Sequence, residues 1–363
     1  MAERKIRHEP EWADLVAAMG EQVDRTISVC LRPRYNFGAT PKLWEAAYEK
    51  VGRALSLVAA ERLLEVVDAG DTVILSTGWP IPPIYPEGEI CGLAGVCSLA
   101  RALTLATGGV RSVVATERAS IGPLTAVAQA AELRIWDYEE LNDRPIPYSV
   151  AFYDFPIDDT AAREHATRLL DETNAKAVIT VEKNDVNEKG VHHSGSGNDM
   201  GPFTAKVEHL VNEANQRGLL TIGVGDVGNE IGFAMIHDEA CEIITPFGKR
   251  CNCGCGGGII GVTATDCLVV GSASNKGCYG IVACLAALTR RPDVLHSKDL
   301  QRRMMDAARN YPVYDSLTVR NTFTEDGAPG ELTLGLIEQL RWLVEIPTWH
   351  NPLLVGAREE TGW

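Results

Sequence analysis

Leu219-Leu220-Thr221-Ile222-Gly223-Val224-Gly225-Asp226-Val227-Gly228-Asn229-Glu230-Ile231-Gly232 decides the fold class. Its first half is a short apolar run of strand type, Leu219–Val224. It passes directly into a glycine turn that carries an acid, an amide and a second acid. In open α/β sheets ligands bind outside the carboxyl ends of strands, which is where such a turn falls. The spacing of Gly223, Gly225 and Gly228 imitates a dinucleotide fingerprint, yet Asp226 stands where a pyrophosphate would come. An acid there suits an amine or a metal, so a nucleotide-dependent oxidoreductase ranks last. Asp226 and Glu230 are the candidate ligands for a divalent cation, Mg or Mn, although two carboxylates alone specify no metal and no cofactor is certain. Asn229 is a residue type that caps helices. The bland alternative makes the two acids a cap and a first-turn charge.

Outward from this turn the same alternation recurs. Further strand candidates are Thr72–Leu75, Ser112–Ala115, Tyr148–Tyr153, Ala177–Val181 and Cys267–Val270. Helical patterns lie between them, near Ser98–Ala106, around Leu124–Ala131 and over Thr204–Gln216. Short apolar strands alternating with helices predict an α/β fold, a mainly parallel sheet with helices on both faces. Before the first strand, Pro41 to Ala69 reads as one helix with a broad apolar face. Three parts are therefore expected: an N-terminal helical segment over 1–70, an α/β domain over 71–346 and an irregular tail over 347–363.

Four other loops at strand ends carry polar chemistry. Ser76-Thr77-Gly78 runs on to Gly88-Glu89-Ile90-Cys91-Gly92, and backbone N–H groups there suit a carboxylate or phosphate. Glu182-Lys183-Asn184 follows another strand, with His192-His193 beyond it. Glu182 and His193 are acid/base candidates, and only one of two adjacent histidines can face a given point. Ser274 and Asn275 precede a helix and can cap it or hydrogen-bond a ligand. Cys251-Asn252-Cys253-Gly254-Cys255 invites a metal reading, but structural zinc sites usually pair C-x₂-C motifs; a tight turn of small residues is the favoured reading.

Bulk properties bound the partners. A net charge of -15 repels polyanions, so nucleic acid and acidic membrane surfaces are poor partners. No run of about eighteen apolar residues suggests a membrane span. The N-terminus has neither a secretory nor a transit pattern, and the ten cysteines are expected as reduced thiols in a cytoplasmic protein.

Taken in order, these motifs resemble the D-glutamate cyclase family. Thr77-Gly78 through Gly88-Glu89-Ile90-Cys91-Gly92, Glu182-Lys183-Asn184 with His192-His193, Gly225 to Gly232, Ser274-Asn275-Lys276-Gly277-Cys278-Tyr279, and Asp315 with Glu325-Asp326-Gly327 carry the likeness over roughly residues 70 to 345. Cys91, Lys276 and Ser316 stand where the family pattern has Asp, Trp and Gly. The resemblance implies a Rossmann-like domain and a hydro-lyase in amino-acid metabolism that interconverts D-glutamate with 5-oxo-D-proline and water. Glu182, His193, Asp226 and Glu230 are the catalytic candidates for that reaction, and Cys91, which departs from the family pattern, is the candidate for a variant of it. Gly78, Glu89, Gly92, Lys183, Asn184, Asn229, Ser274, Asn275 and Asp315 become substrate-binding candidates, Asp226 and Glu230 remain the metal pair, and a homo-oligomer is expected. Because Cys91 departs from the pattern, hydrolysis of another lactam or cyclic amide stays open, with Cys91 as nucleophile. So does a non-catalytic protein that only binds a small ligand.

Overall fold

The computed structural model describes residues 12–30, 38–143, 146 and 148–345. The first strand, β1 (Thr72–Ser76), follows three helices, α1 (Trp12–Ile27), α2 (Ala39–Val51) and α3 (Leu55–Val66). Next come α4 (Leu93–Thr107), β2 (Arg111–Thr116), α5 (Ile121–Ala130), β3 (Arg134–Ile135), α6 (Tyr138–Asp143) and β4 (Ser149–Asp154). After them lie α7 (Asp159–Thr173), β5 (Ala177–Val181), α8 (Glu208–Gln216), β6 (Leu220–Gly225), α9 (His237–Ile243) and β7 (Cys267–Val270). The chain continues through α10 (Ser274–Leu288), α11 (Lys298–Ala308), a small hairpin of β8 (Thr324–Glu325) and β9 (Ala328–Pro329), and α12 (Gly330–Glu345).

Strands β1 to β7 form one parallel sheet in the order β3-β4-β2-β1-β5-β6-β7. Side chains alternate across it, so neighbours along β1 enter different cores. Val73 and Leu75 face a cluster built with α1, α3, α4, α10 and α12, whereas Ile74 faces the one built with α7 and α8. Burial on both faces is why the strands read as continuous apolar runs rather than alternating ones. The expected strands all form, with ends shifted by a residue or two. The exception in sequence is β3, two residues long and too short to leave a pattern. The helix expected over 41–69 is broken: the chain turns at Gly52, whose N–H bonds the Tyr48 carbonyl, and α3 starts afresh. The tail expected from 347 lies outside the described residues. Among the described residues no helix is long and apolar enough to cross a membrane.

The strand order reverses between β1 and β5. From β1 the chain adds strands on one side, then returns at β5 to build the other. Flanking loops diverge at such a switch point and leave a crevice beyond the strand ends. Helix α10 is buried from Ser274 to Ala287 and brings its N-terminal residues to this crevice.

Candidate active site

The crevice is a cavity of about 560 Å³. Its lining includes Trp79 and Tyr85 from the loop after β1, Glu182 after β5, Asp226 and Asn229 after β6, and Asp326 from the hairpin. Strand β5 ends at Val181, and Glu182 turns out of the sheet with φ 51°, a left-handed conformation rare for a residue with a side chain. Such a conformation costs on the order of 1–3 kcal/mol and persists only where the surroundings enforce it. The Glu182 N–H bonds Val224 O at 3.1 Å, and Ser274 at the head of α10 donates its hydroxyl to Glu182 Oε2 at 2.5 Å. Strands β5 and β6 are neighbours, so the residues that follow them converge. Ligand atoms of Cys91, Glu182 and Asp226 all lie within 4.8 Å of one another.

This acid group sets its own protonation. Glu89 is buried, and burial first, then the charges of Glu182, Asp326 and Asp226, push its carboxyl well above the usual range. Burial and the same carboxylates push the Cys91 thiol well up, so it stays an S–H. A thiolate is the nucleophilic form, and nothing at this position favours it.

Several residues singled out from sequence are turned inward. Glu230 accepts N–H bonds from Asp226 (2.9 Å), Val227 (3.1 Å) and Gly228 (2.7 Å), so the anion seated in the glycine turn is the chain's own carboxylate. The turn requires glycine at 225, where a Cβ would stand 2.9 Å from the Glu230 carboxyl carbon and 2.6 Å from the Phe233 ring. Lys183 is fully buried; its ammonium pairs with Glu117 and bonds Gly78 O at 3.0 Å. Asn275 Oδ1 accepts from Gly92 N and Gly95 N, while its amide donates to Glu325. Asp315 organises its own loop through the N–H groups of Leu317, Thr318 and Gly327. Asn184 and Asn229 both donate to His193 O, at 2.7 and 2.8 Å. The His193 ring itself is turned to the cysteine loop, with Nε2 3.1 Å from Cys253 Sγ.

The structure thus brings Cys91, Glu89, Glu182, Asp226 and Ser274 together, and leaves Glu230 and His193 outside that group. Asp326 and Glu117 were missed as site residues. Glu117 follows β2 and carries no local motif, whereas Asp326 lies in the Glu325-Asp326-Gly327 stretch that carried the likeness, and only the fold brings it to the cavity.

The fold and the cavity define a parallel α/β protein with a carboxylate-rich cavity at its switch point. The family model described as D-glutamate cyclase-like, C-terminal, matches residues 18–341, and the chain belongs to that family. The match takes in most of α1 as well as α2 and α3. None of the curated proteins matches the chain.

Proposed function

We propose that the protein is a hydro-lyase interconverting an amino acid and its lactam, with D-glutamate and 5-oxo-D-proline as the first pair to consider. The observation that carries this reading is the convergence of Glu182 and Asp226 from adjacent strand ends on the cavity floor. In the ring-closing direction the Asp226 carboxylate takes a proton from the substrate ammonium. The freed amine then attacks the side-chain carboxyl carbon. The carbon–nitrogen bond forms and a carbon–oxygen bond breaks; nitrogen gives up a second proton, and the two protons it has lost, relayed through Asp226 and Glu182, leave with the departing oxygen as water. Ser274 fixes the orientation of Glu182. Glu89 lies beside it, its carboxyl pushed well up by burial and by the Glu182 charge. Trp79, Tyr85 and Phe203 wall the cavity, hold the substrate curled and limit water, so orientation supplies much of the rate.

Charge points to a cation partner for this chemistry. Among the described lining residues are Glu182, Asp199, Asp226 and Asp326 and no lysine or arginine. Glutamate brings two further carboxylates, and close like charges are strongly repulsive in a site of low dielectric. The oxygens of Glu182 and Asp226 suit Mg²⁺ or Mn²⁺, whereas the Cys91 S–H is a poor ligand for a hard ion. When bound, such an ion supplies Lewis-acid polarisation of the carboxyl group and neutralises the site.

The same lining favours a second reading, hydrolysis of a cyclic amide less anionic than 5-oxoproline. The test is incubation of the purified protein with D-glutamate or 5-oxo-D-proline, with and without Mn²⁺ or Mg²⁺, followed by chiral chromatography. Interconversion supports the first reading. Opening of neutral lactams alone supports the second, and binding without turnover of either overturns both.

A further inference from the structure

We infer that the protein holds a structural zinc ion in a Cys₃His site formed by Cys251, Cys253, Cys255 and His193. The four side chains come from two loops, and their ligand atoms lie within 4.8 Å of one another. Cys251 Sγ is 3.2 Å from Cys253 Sγ and 3.4 Å from Cys255 Sγ. His193 Nε2 is 3.1 Å from Cys253 Sγ and 3.8 Å from Cys255 Sγ. A disulfide needs sulfurs about 2.05 Å apart. Four ligands tetrahedral about zinc, at roughly 2.3 Å for sulfur and 2.0 Å for nitrogen, would be separated by about 3.5–3.8 Å. The observed separations come close to that size, so a small opening of the loops admits the ion.

A second observation concerns the sulfurs themselves. Cys255 N–H points at Cys253 Sγ and Gly257 N–H at Cys255 Sγ, each at 3.4 Å. The Asn187 amide also donates to Cys255 Sγ at 3.4 Å. Donors aimed at sulfur stabilise a thiolate, the form that binds metal. Gly254 and Gly256, with φ 85° and 86°, permit the winding that turns these N–H groups inward. The sulfur-rich set selects zinc over Mg²⁺ or Mn²⁺, which prefer oxygen ligands. Four protein ligands leave no open position, as in structural rather than catalytic zinc sites.

The site has a consequence for the cavity. His193 is fully buried and belongs to the segment whose next residues, Ser194, Gly195, Ser196, Asn198 and Asp199, line the cavity. Asn252 bonds this segment through Gly197 O and Ser196 O. Zinc therefore ties the cysteine loop to a cavity wall and contributes stability that the apo chain lacks.

The test uses the full chain purified under reducing conditions, desalted and assayed for metal by plasma mass spectrometry. The expected result is close to one zinc per chain, and after replacement by Co²⁺ a thiolate-to-cobalt absorption band. Because Cys253 is exposed, C253S should fold, bind zinc at least tenfold more weakly and lose that band. H193Q should behave the same way, while C91S keeps its zinc and so separates this site from the carboxylate cavity. Chelation should lower the Tm of the parent by on the order of 5 °C and leave that of C253S nearly unchanged. A folded, reduced chain that binds neither zinc nor cobalt overturns the inference. So does zinc retained in the triple variant C251S/C253S/C255S.

Discussion

Two clusters of metal-competent side chains lie on either side of segment 192–200, and they differ in what they can do. The cavity is lined by carboxylates, with a buried acid behind them whose carboxyl is pushed well up. The cysteine loop offers soft sulfurs that make a four-ligand set with His193. Open oxygen sites bind substrates and exchangeable hard cations, whereas closed sulfur sites hold a fold together. One loop serves both, because His193 faces the cysteines while its neighbours face the cavity.

A cross-over of variants separates the two clusters. D226N should lose about 10²–10⁴-fold in turnover and keep its zinc, since the carboxylate acts only at the cavity. C253S should lose zinc and stability, with turnover falling far less in the fraction that remains folded. If D226N also lost zinc, the two clusters would not be separate.

Beneath the cavity the Lys183–Glu117 pair is expected to give the next largest effect. Both side chains are buried, and Glu117 also accepts the Ala205 N–H at 2.7 Å. K183M leaves Glu117 charged and uncompensated, for a loss of about 3–5 kcal/mol in urea denaturation. Adding E117Q should restore a large part. A loss unchanged in the double variant would show that packing, not charge, matters at 183.

These cases also mark what could be read from sequence. Strands β1, β2 and β4 to β7 were legible because burial on both faces leaves uninterrupted apolar runs. The glycine turn was recognised as special, but its cause was hidden. Glu230 looks like an available acid in sequence, and only geometry shows three N–H groups around it. The cysteine loop was read as a tight turn, and Gly254 and Gly256 do form one. Its fourth ligand lies 58 residues before Cys251, too far for any spacing rule to join them. Glu117 is gathered by topology rather than by motif, and the motif around Asp326 does not say that its side chain lines the cavity.

A pH dependence follows from a buried acid near both regions. Asp185 is pushed up to about 6, chiefly by burial, against opposing hydrogen bonds from Thr263. The folded state holds this proton more tightly than the unfolded chain. Its contribution is complete below the unfolded pKa of 3.8 and is lost as pH rises through about 6. The loss is on the order of 3 kcal/mol. D185N should therefore make stability fall less steeply between pH 4 and 6 in urea titrations; an unaltered slope would contradict this assignment.

The smallest effect is expected at Glu230. E230Q keeps one acceptor for its three N–H donors and should cost roughly 2 kcal/mol of stability. Turnover in the folded fraction should exceed that of D226N by at least about tenfold, because Glu230 does not reach the cavity. Equal turnover losses in E230Q and D226N would return Glu230 to the chemistry.

The decisive experiment for the cavity carboxylates incubates 5-oxo-D-proline with the protein and Mn²⁺ in H₂¹⁸O and follows the product by mass spectrometry. D-glutamate carrying ¹⁸O in its side-chain carboxylate is expected from the parent protein and is expected to be almost abolished in D226N and E182Q. Label incorporation at the parental rate in both variants would contradict that expectation.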